Sequence, residues 1–445
     1  MALASAPALK TSLYALSIRE VARRIAIGEL SSEAYTGALL ERIAQLEPEI
    51  HAWVTLDGAA ALEAARKLDE KRDTGHFLGP LHGLPIGVKD ILLTRGVPTR
   101  MGSLAYANYI PNRNAEIVDR LEAAGGFSLG KTVTTECAFM VPNKTHNPWN
   151  AAHTPGGSSS GSAAAVACGM VPAAIATQTN GSVIRPAAFC GVVGYKPGTG
   201  VLSAEGVLPF SPTLDQPGVI ARSVEDAAFV AAHIAHSKWA LSSHVMAMPN
   251  PPLLLAYRTH AWHLTTSAQR ERYQMDIEKF RAAGAEVQER DMPSLFNESH
   301  KVHRCIMLYE AARGAKQVRA AYRDLFSDVL NVALDEGEAI SDGEYRSALE
   351  KRLAMKRTFS GLLEDPDAII TPPAPGEAPT MDSTGNPGLC TLWTLLGAPA
   401  ITIPTGLGPS GLPLGLQIVG NQGESNHLLA TAAWCERQVS FKGLV

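Results

Sequence analysis

The chain has 445 residues, 46% of them hydrophobic and 18% charged, with a formal net charge of -4. That length buries a substantial core, as one large α/β domain or as two or three smaller ones. The charge balance gives no basic field for nucleic acid and no polybasic patch for anionic lipid, so a small molecule is the expected partner.

The first residues show no charged stretch followed by an apolar run of about 7 to 15 residues, so no secretory signal is expected. The opening sequence then places apolar residues at helical spacing, with Gly28 and Ser31-Ser32 as a stop and restart, and predicts two or three amphipathic helices. Residues 81–94, "LHGLPIGVKDILLT", and 125–136, "GGFSLGKTVTTE", are β-prone runs flanking a helix that stops at Gly125-Gly126. This alternation predicts an α/β sheet. The longest apolar run, residues 163–176, holds Gly169 and Pro172 and falls short of the roughly 18 to 20 residues of a membrane span, so it reads as buried core. An Ala-rich helix from about 160 to 169, a β-prone "VVGYKP" and a helix capped by Ser223 with Asp226 three residues on come next. Residues 266–365 are mostly charged and helix-favouring, "LPLGLQIVG" (412–420) reads as a strand, and "SNHLLATAAWCERQV" as a final helix. The six cysteines, Cys137, Cys168, Cys190, Cys305, Cys390 and Cys435, contain no C-x-x-C pair, and reduced thiols in a cytoplasmic protein are expected.

Three motif matches compete for the chemistry. "GGFSLGKT" (125–132) fits the P-loop pattern, but a P-loop needs a strand before it and a helix after it, and here the order is reversed, leaving Lys131 as a strand-end lysine. Residues 157–161 fit G-x-S-x-G with Ser159 at the centre, but "HNPWNAAHTP" before them is no strand, so the nucleophile elbow of an α/β-hydrolase loses its context. His233/His236, His260/His263 and His300/His303 are spaced three apart without a set that completes four ligands, so no metal is expected.

What remains is a constellation: "GLPIGVKD" with Lys89, "TPGGSSSGSAAAVACG" with Ser158, and "TQTNGSVIRPAAFCGVVGYKP" with Ser182. Together with "NPWNAAHTPGG", "SPTLDQPGVIARSVEDA" and the closing "GLPLGLQIVG", it resembles the amidase signature family of serine hydrolases over nearly the whole chain. The resemblance implies an α/β/α sandwich with a mixed central β-sheet covered by helices. It also implies one domain over 1–445, with its core at about 75–240 and 365–435 and a more variable helical, substrate-side region at about 240–365. The residues that match the family's Ser-cisSer-Lys triad are Ser182 as nucleophile, Ser158 as proton relay after a cis Gly157-Ser158 bond, and Lys89 as base, a role that requires a neutral amine at working pH. Thr179, Asn180, Gly181 and Ser182 match the oxyanion hole of successive backbone N–H groups. Asn180 stands where glycine is usual, and asparagine tolerates left-handed backbone. Gln178 stands where aspartate is common, and Arg185 falls one residue later than in many members, as in a branch of small-amide hydrolases such as malonamidase. Gly157 and Ser159 complete the supporting set, and Arg185 either binds a substrate carboxylate or ties strands together.

The activity implied is cofactor-free hydrolysis of a carboxamide or related C–N bond, whether amide, anilide or carbamate (urethane), or of an ester, through an acyl-enzyme. The pocket is expected from 300–380, Cys137 to Val141 and Val207 to Phe210. Expected partners are a small-molecule amide or carbamate, with no nucleic acid and no membrane, for a monomer or homodimer. The alternatives are a glutaminase-type amidotransferase subunit that works with a partner, and a non-catalytic binding protein.

Overall fold

The computed structural model describes residues 13–236, 240–439 and 441. Its frame is one 11-stranded sheet, in the order β1-β3-β2-β4-β6-β5-β10-β11-β9-β7-β8. In chain order the strands are β1 (Trp53–Leu56), β2 (Pro85–Lys89), β3 (Phe127–Thr132), β4 (Ala173–Gln178), β5 (Val193–Lys196) and β6 (Gln216–Ala221). They continue with β7 (Leu253–Arg258), β8 (Glu286–Asp291), β9 (Ala368–Thr371), β10 (Ala400–Leu407) and β11 (Pro413–Val419). β3, β2 and β4 run parallel, the strands from β6 to β11 pair antiparallel, and β9, β7 and β8 are again parallel.

Strand periodicity divides the core. Along β4, Ala173 and Ile175 enter one hydrophobic cluster while Ala174 and Ala176 enter another, because successive side chains point to opposite faces. The first cluster is covered by α1 (Ile18–Ala26), part of α2 (Ser32–Ile50), α4 (Glu116–Ala123), α7 (Val224–Ile234), α8 (Ser267–Ala282) and α13 (Ser425–Val439), and the second by α3 (Gly58–Asp73) and α5 (Ser160–Ala167). Leu255 and Tyr257 of β7 face a third cluster, packed by α9 (Ser299–Tyr322), α10 (Asp328–Ala339), α11 (Asp342–Leu362) and α12 (Gly388–Leu396). The last helix, α6 (Ile184–Cys190), follows the turn after β4. The result is an α/β/α arrangement on a mixed sheet, as the resemblance implied.

The N-terminal helices form where the sequence stops and restarts them: Gly28 adopts φ +75° and Ser31 accepts from Ala34 N at 3.0 Å. Ser223 caps α7 by accepting from Asp226 N at 3.1 Å, while Asp226 itself accepts from the distant Ile18 N at 2.9 Å. The apolar run 163–176 is buried throughout and splits between α5 and β4. Among the described residues no helix is long and apolar enough to cross a membrane. β1, β4, β6, β7, β8, β9 and β10 go beyond the sequence expectation, and β7 and β8 give the region 240–365 a share of the sheet edge as well as its helices.

"GGFSLGKT" is the glycine turn after α4 followed by the whole of β3: Gly125 turns the chain at φ +90° and Lys131 lies within the strand. Its ammonium is buried with Asp90, and it donates to the Leu92 carbonyl and, at 3.1 Å each, to Thr94 Oγ1 and Thr99 Oγ1. No phosphate cradle exists there.

Candidate active site

The carboxyl ends of β2 and β4, parallel neighbours in the sheet, meet the Gly- and Ser-rich turn that leads into α5. Open α/β sheets place ligands at such strand ends. Lys89, the last residue of β2, is completely buried. Its Nζ lies 2.7 Å from Ser158 Oγ, 2.9 Å from Thr177 Oγ1 and 3.4 Å from Thr177 O. Burial holds the Lys89 pKa well below the ordinary lysine range, against a smaller opposing pull from the Asp215 carboxylate. A neutral amine has two N–H donors and one lone pair. In that state the two N–H groups serve the Thr177 oxygens and the lone pair faces the Ser158 hydroxyl, whereas an ammonium donates to all three oxygens.

The turn carrying Ser158 is fixed from both sides. Gly157-Ser158 is a cis peptide, and Gly156 adopts φ +83°. A Cβ on Gly157 would meet Thr135 Cγ2 at 3.0 Å and Thr384 Cγ2 at 3.1 Å, so no side chain fits without displacement. Ser158 O accepts from Thr135 N at 3.1 Å, and Gly157 O accepts from Arg185 Nη2 at 2.7 Å. Arg185 Nη1 donates to Gly385 O at 2.6 Å, and burial pushes the guanidinium pKa down to about 10. Both terminal nitrogens of Arg185 are therefore engaged with backbone, the geometry of a tie between segments. Ser159 is buried at the start of α5, donates to Thr177 O at 3.3 Å and follows a turn, where an elbow nucleophile would follow a strand and face a cleft.

A second turn, residues 179–183, links β4 to α6. Gln178 Oε1 accepts from Val183 N at 2.9 Å and Ile184 N at 3.0 Å, while its Nε2 donates to Thr394 Oγ1 at 2.9 Å. The amide thus supplies both an acceptor for the start of α6 and a donor, and the second of these an ionised aspartate would lack. Thr179 Oγ1 donates to Asp215 Oδ1 at 2.5 Å, and Thr391 Oγ1 donates to Asn180 Oδ1 at 2.8 Å. Asn180 has no positive φ, so the left-handed tolerance of asparagine is not what admits it there.

Thr179, Asn180, Ser182 and Arg185 line a narrow cleft whose other walls are Ala138, Phe139, Met140, Phe210, Met307 and Pro387. The Phe139 and Phe210 rings stack with centroids 5.4 Å apart. Cys137 and Ala138 beside them hold positive φ, +46° and +60°, conformations that non-glycine residues keep where packing over-determines them and that cluster at ligand sites.

The structure thus joins Lys89 to Ser158, places Ser182 on the cleft with Thr179, Asn180 and Arg185, and turns Gln178 and Ser159 inward. Sequence reasoning missed Thr177, Asp215, Thr391 and Thr394. It noticed His303 only as half of a metal-like pair, whereas His303 Nε2 donates to Thr179 O at 2.8 Å. The other half, His300, has its Nε2 2.9 Å from Gly388 O. Among the described residues no group of three or more His, Cys, Asp or Glu is arranged to hold a metal.

A helix-covered mixed sheet with Ser182 on a cleft at its parallel strand ends and a buried Lys89–Ser158 pair beside it is compatible with a hydrolase, and the comparisons agree. A profile of the Amidase family matches residues 34–429, and the chain belongs to that family, whose members hydrolyse carbon–nitrogen bonds. It is 34% identical to a glutamyl-tRNA(Gln) amidotransferase subunit of Chloroflexus aggregans, over 94% of this chain and 95% of that one. A crystal structure of an amidase, 31% identical, superposes with a TM-score of 0.87 over 96% of this chain and 100% of the other. The peptide amidase of Stenotrophomonas maltophilia, 28% identical, gives 0.81 over 96% and 98%. These relatives correct one expectation. A monomer or homodimer meeting only a small molecule does not stand when relatives at 34% identity are named as one subunit of a glutamyl-tRNA(Gln) amidotransferase. The chain's net charge reports its own field and carries no information on partners held through other surfaces.

Proposed function

We propose that the chain hydrolyses a carboxamide or related C–N bond through an acyl-enzyme, with Ser182 as nucleophile, Ser158 as relay and Lys89 as base. Ser182 Oγ attacks the carbonyl carbon as its proton passes to Ser158 Oγ and the Ser158 proton passes to Lys89 Nζ. The tetrahedral oxyanion is met by backbone N–H groups of residues 179–182. The C–N bond then breaks, and the proton returns from Lys89 through Ser158 to the leaving nitrogen. Water attacks the Ser182 ester by the same relay, releasing the acid and restoring the three side chains. The observation that carries this reading is the 2.7 Å contact of a fully buried Lys89 with Ser158, whose pKa shift supplies the neutral amine a base requires. A fluorophosphonate is expected to add its mass to the peptide holding Ser182. Labelling of Ser159 instead would overturn the assignment.

The cleft walls favour an uncharged, apolar substrate: Phe139, Met140, Phe210 and Met307 stand among its lining residues, and the one charged lining group, Arg185, has its terminal nitrogens on backbone. Anilides and aryl carbamates present the same electrophile as amides and suit such walls. A second cavity of about 240 Å³ lies across Phe210, lined by Tyr106, Leu208, Ala311, Gly314 and Leu334 among others, and extends the apolar surface. A Cβ on Gly314 would meet only the Pro209 carbonyl, at 3.7 Å, so leucine fits at this helical position and fills the cavity. Gly314→Leu is expected to lower the kcat/KM ratio of hexanoyl to acetyl anilide about ten-fold, at the low end of the roughly 10–200-fold that one methylene decides in an apolar pocket.

The amidotransferase relatives favour a second reading, in which the same residues hydrolyse the amide of glutamine within an assembly. Ammonia released from glutamine only when partner proteins are added, with no turnover of anilides, would establish it over the first.

A further inference from the structure

In the peptide unit joining residues 179 and 180, the carbonyl belongs to Thr179 and the N–H to Asn180. In the next unit, the carbonyl belongs to Asn180 and the N–H to Gly181. Both carbonyls accept side-chain hydrogen bonds from the opposite wall of the site. His303 Nε2, on α9, donates to Thr179 O at 2.8 Å, and Thr394 Oγ1, on α12, donates to Asn180 O at 2.5 Å. Both donors are buried.

We infer that His303 and Thr394 are positioning residues of the oxyanion hole: by holding these two carbonyls they aim the Asn180 and Gly181 N–H groups into the cleft and polarise them toward the developing oxyanion. The inference rests on the oxyanion assignment proposed above. Its physical basis is that a peptide unit whose oxygen accepts a hydrogen bond becomes a stronger donor at nitrogen, and the gain is larger where water is excluded. Direction follows as well, since a peptide is planar and fixing its C=O fixes its N–H. Burial pushes the His303 pKa down to about 4, so its imidazole remains a neutral Nε2–H donor under working conditions. Thr394 is itself steadied, because its Oγ1 accepts from Gln178 Nε2 at 2.9 Å, and Gln178 holds the start of α6. The oxyanion turn is thus clamped by α9, by α12 and by its own strand.

The experiment compares Thr394→Val, Thr394→Ser, His303→Ala and His303→Gln with the wild type in kcat, KM, thermal midpoint, rate of fluorophosphonate labelling at Ser182, and inhibition by a trifluoromethyl ketone, which forms a tetrahedral oxyanion adduct. Thr394→Val and His303→Ala are expected to lower kcat about ten-fold, less than the roughly 10²–10³-fold of removing an oxyanion donor itself, with KM little changed. Ketone affinity should fall in proportion to kcat/KM, and the Ser and Gln variants, which keep a donor, should regain most of both. Folded Val and Ala variants with wild-type kcat and ketone affinity would overturn the inference, as would a loss confined to KM or no recovery in the Ser and Gln variants. If His303→Ala does not fold, the Thr394 pair decides alone. Absence of Ser182 labelling in the wild type would instead defeat the proposed function, and wild-type labelling rates in folded variants would defeat only the inference.

Discussion

Lys89→Met is expected to lower kcat/KM about 10²–10⁴-fold, the range over which a positioned general base contributes. Methionine keeps the length and apolar body of the side chain, so the completely buried site stays filled and the loss reports the missing base. In the wild type, kcat/KM should rise with pH along a single limb whose midpoint lies below the 10.5 of an ordinary lysine, because the base is the neutral amine and burial disfavours the ammonium. Asp215 opposes that shift, since its carboxylate favours the ammonium. Its own pKa is raised to about 6 by burial, so above that pH it faces Lys89 as a carboxylate. Asp215→Asn therefore moves the limb to lower pH. Asparagine can keep the local bonds, accepting from Phe210 N and Ser211 N as the carboxylate does at 2.9 Å each, and donating toward Thr179 Oγ1. A limb that stays in place in Asp215→Asn, or that survives in Lys89→Met, would remove Lys89 as the titrating base. Rates measured across pH 6–11 with one anilide decide both.

What could be read from the sequence was whatever is written in local pattern. α13, "SNHLLATAAWCERQV", comes out residue for residue, since its apolar spacing is regular and a strand end precedes it. The run 163–176 was correctly placed in the core, and the Ala-rich helix expected at about 160–169 is α5, but β4 in its second half was not visible, since a continuously apolar stretch has no period to read. β7 and β8 were lost in sequence that is charged and helix-favouring on average, and β8, "EVQERD", sits at the sheet edge with its polar residues outward. At the site, Lys89, Ser158 and Ser182 were legible only through family resemblance, and Lys131 and Ser159, which satisfy better-known patterns letter for letter, turned out to be buried supports. Thr177, Asp215, His303 and Thr394 were invisible for a different reason. Hydrogen bonds such as His303 to Thr179, 124 residues apart, and Thr394 to Asn180, 214 apart, leave no trace in local spacing and exist only once the helical region has docked on the sheet.

Arg185→Leu is the second large effect, and its signature separates two roles that the sequence left open. The guanidinium is 2% exposed and bridges Gly157 O at 2.7 Å and Gly385 O at 2.6 Å. Leucine removes both donors and leaves two buried carbonyls unpaired, each costing about 1–3 kcal/mol. It also recovers some of the cost of burying a charge, which the lowered pKa of Arg185 records. The net expectation is a loss of about 2–4 kcal/mol, seen as a lower denaturant midpoint. Catalysis should fall as well, because Gly157 directly precedes Ser158 and displacement of a reacting group by about 1 Å costs on the order of 10²-fold. If Arg185 is a tie between segments, that fall is the same for neutral amides and for amides carrying a carboxylate, since neither touches the guanidinium. A carboxylate receptor would instead lose the acidic amide selectively, with its KM rising and the neutral amide spared. Arg185→Lys sharpens the comparison. A single ammonium lacks the planar fork that spans two carbonyls brought from opposite sides, so it should restore only part of the stability, whereas a mere need for positive charge would be met in full.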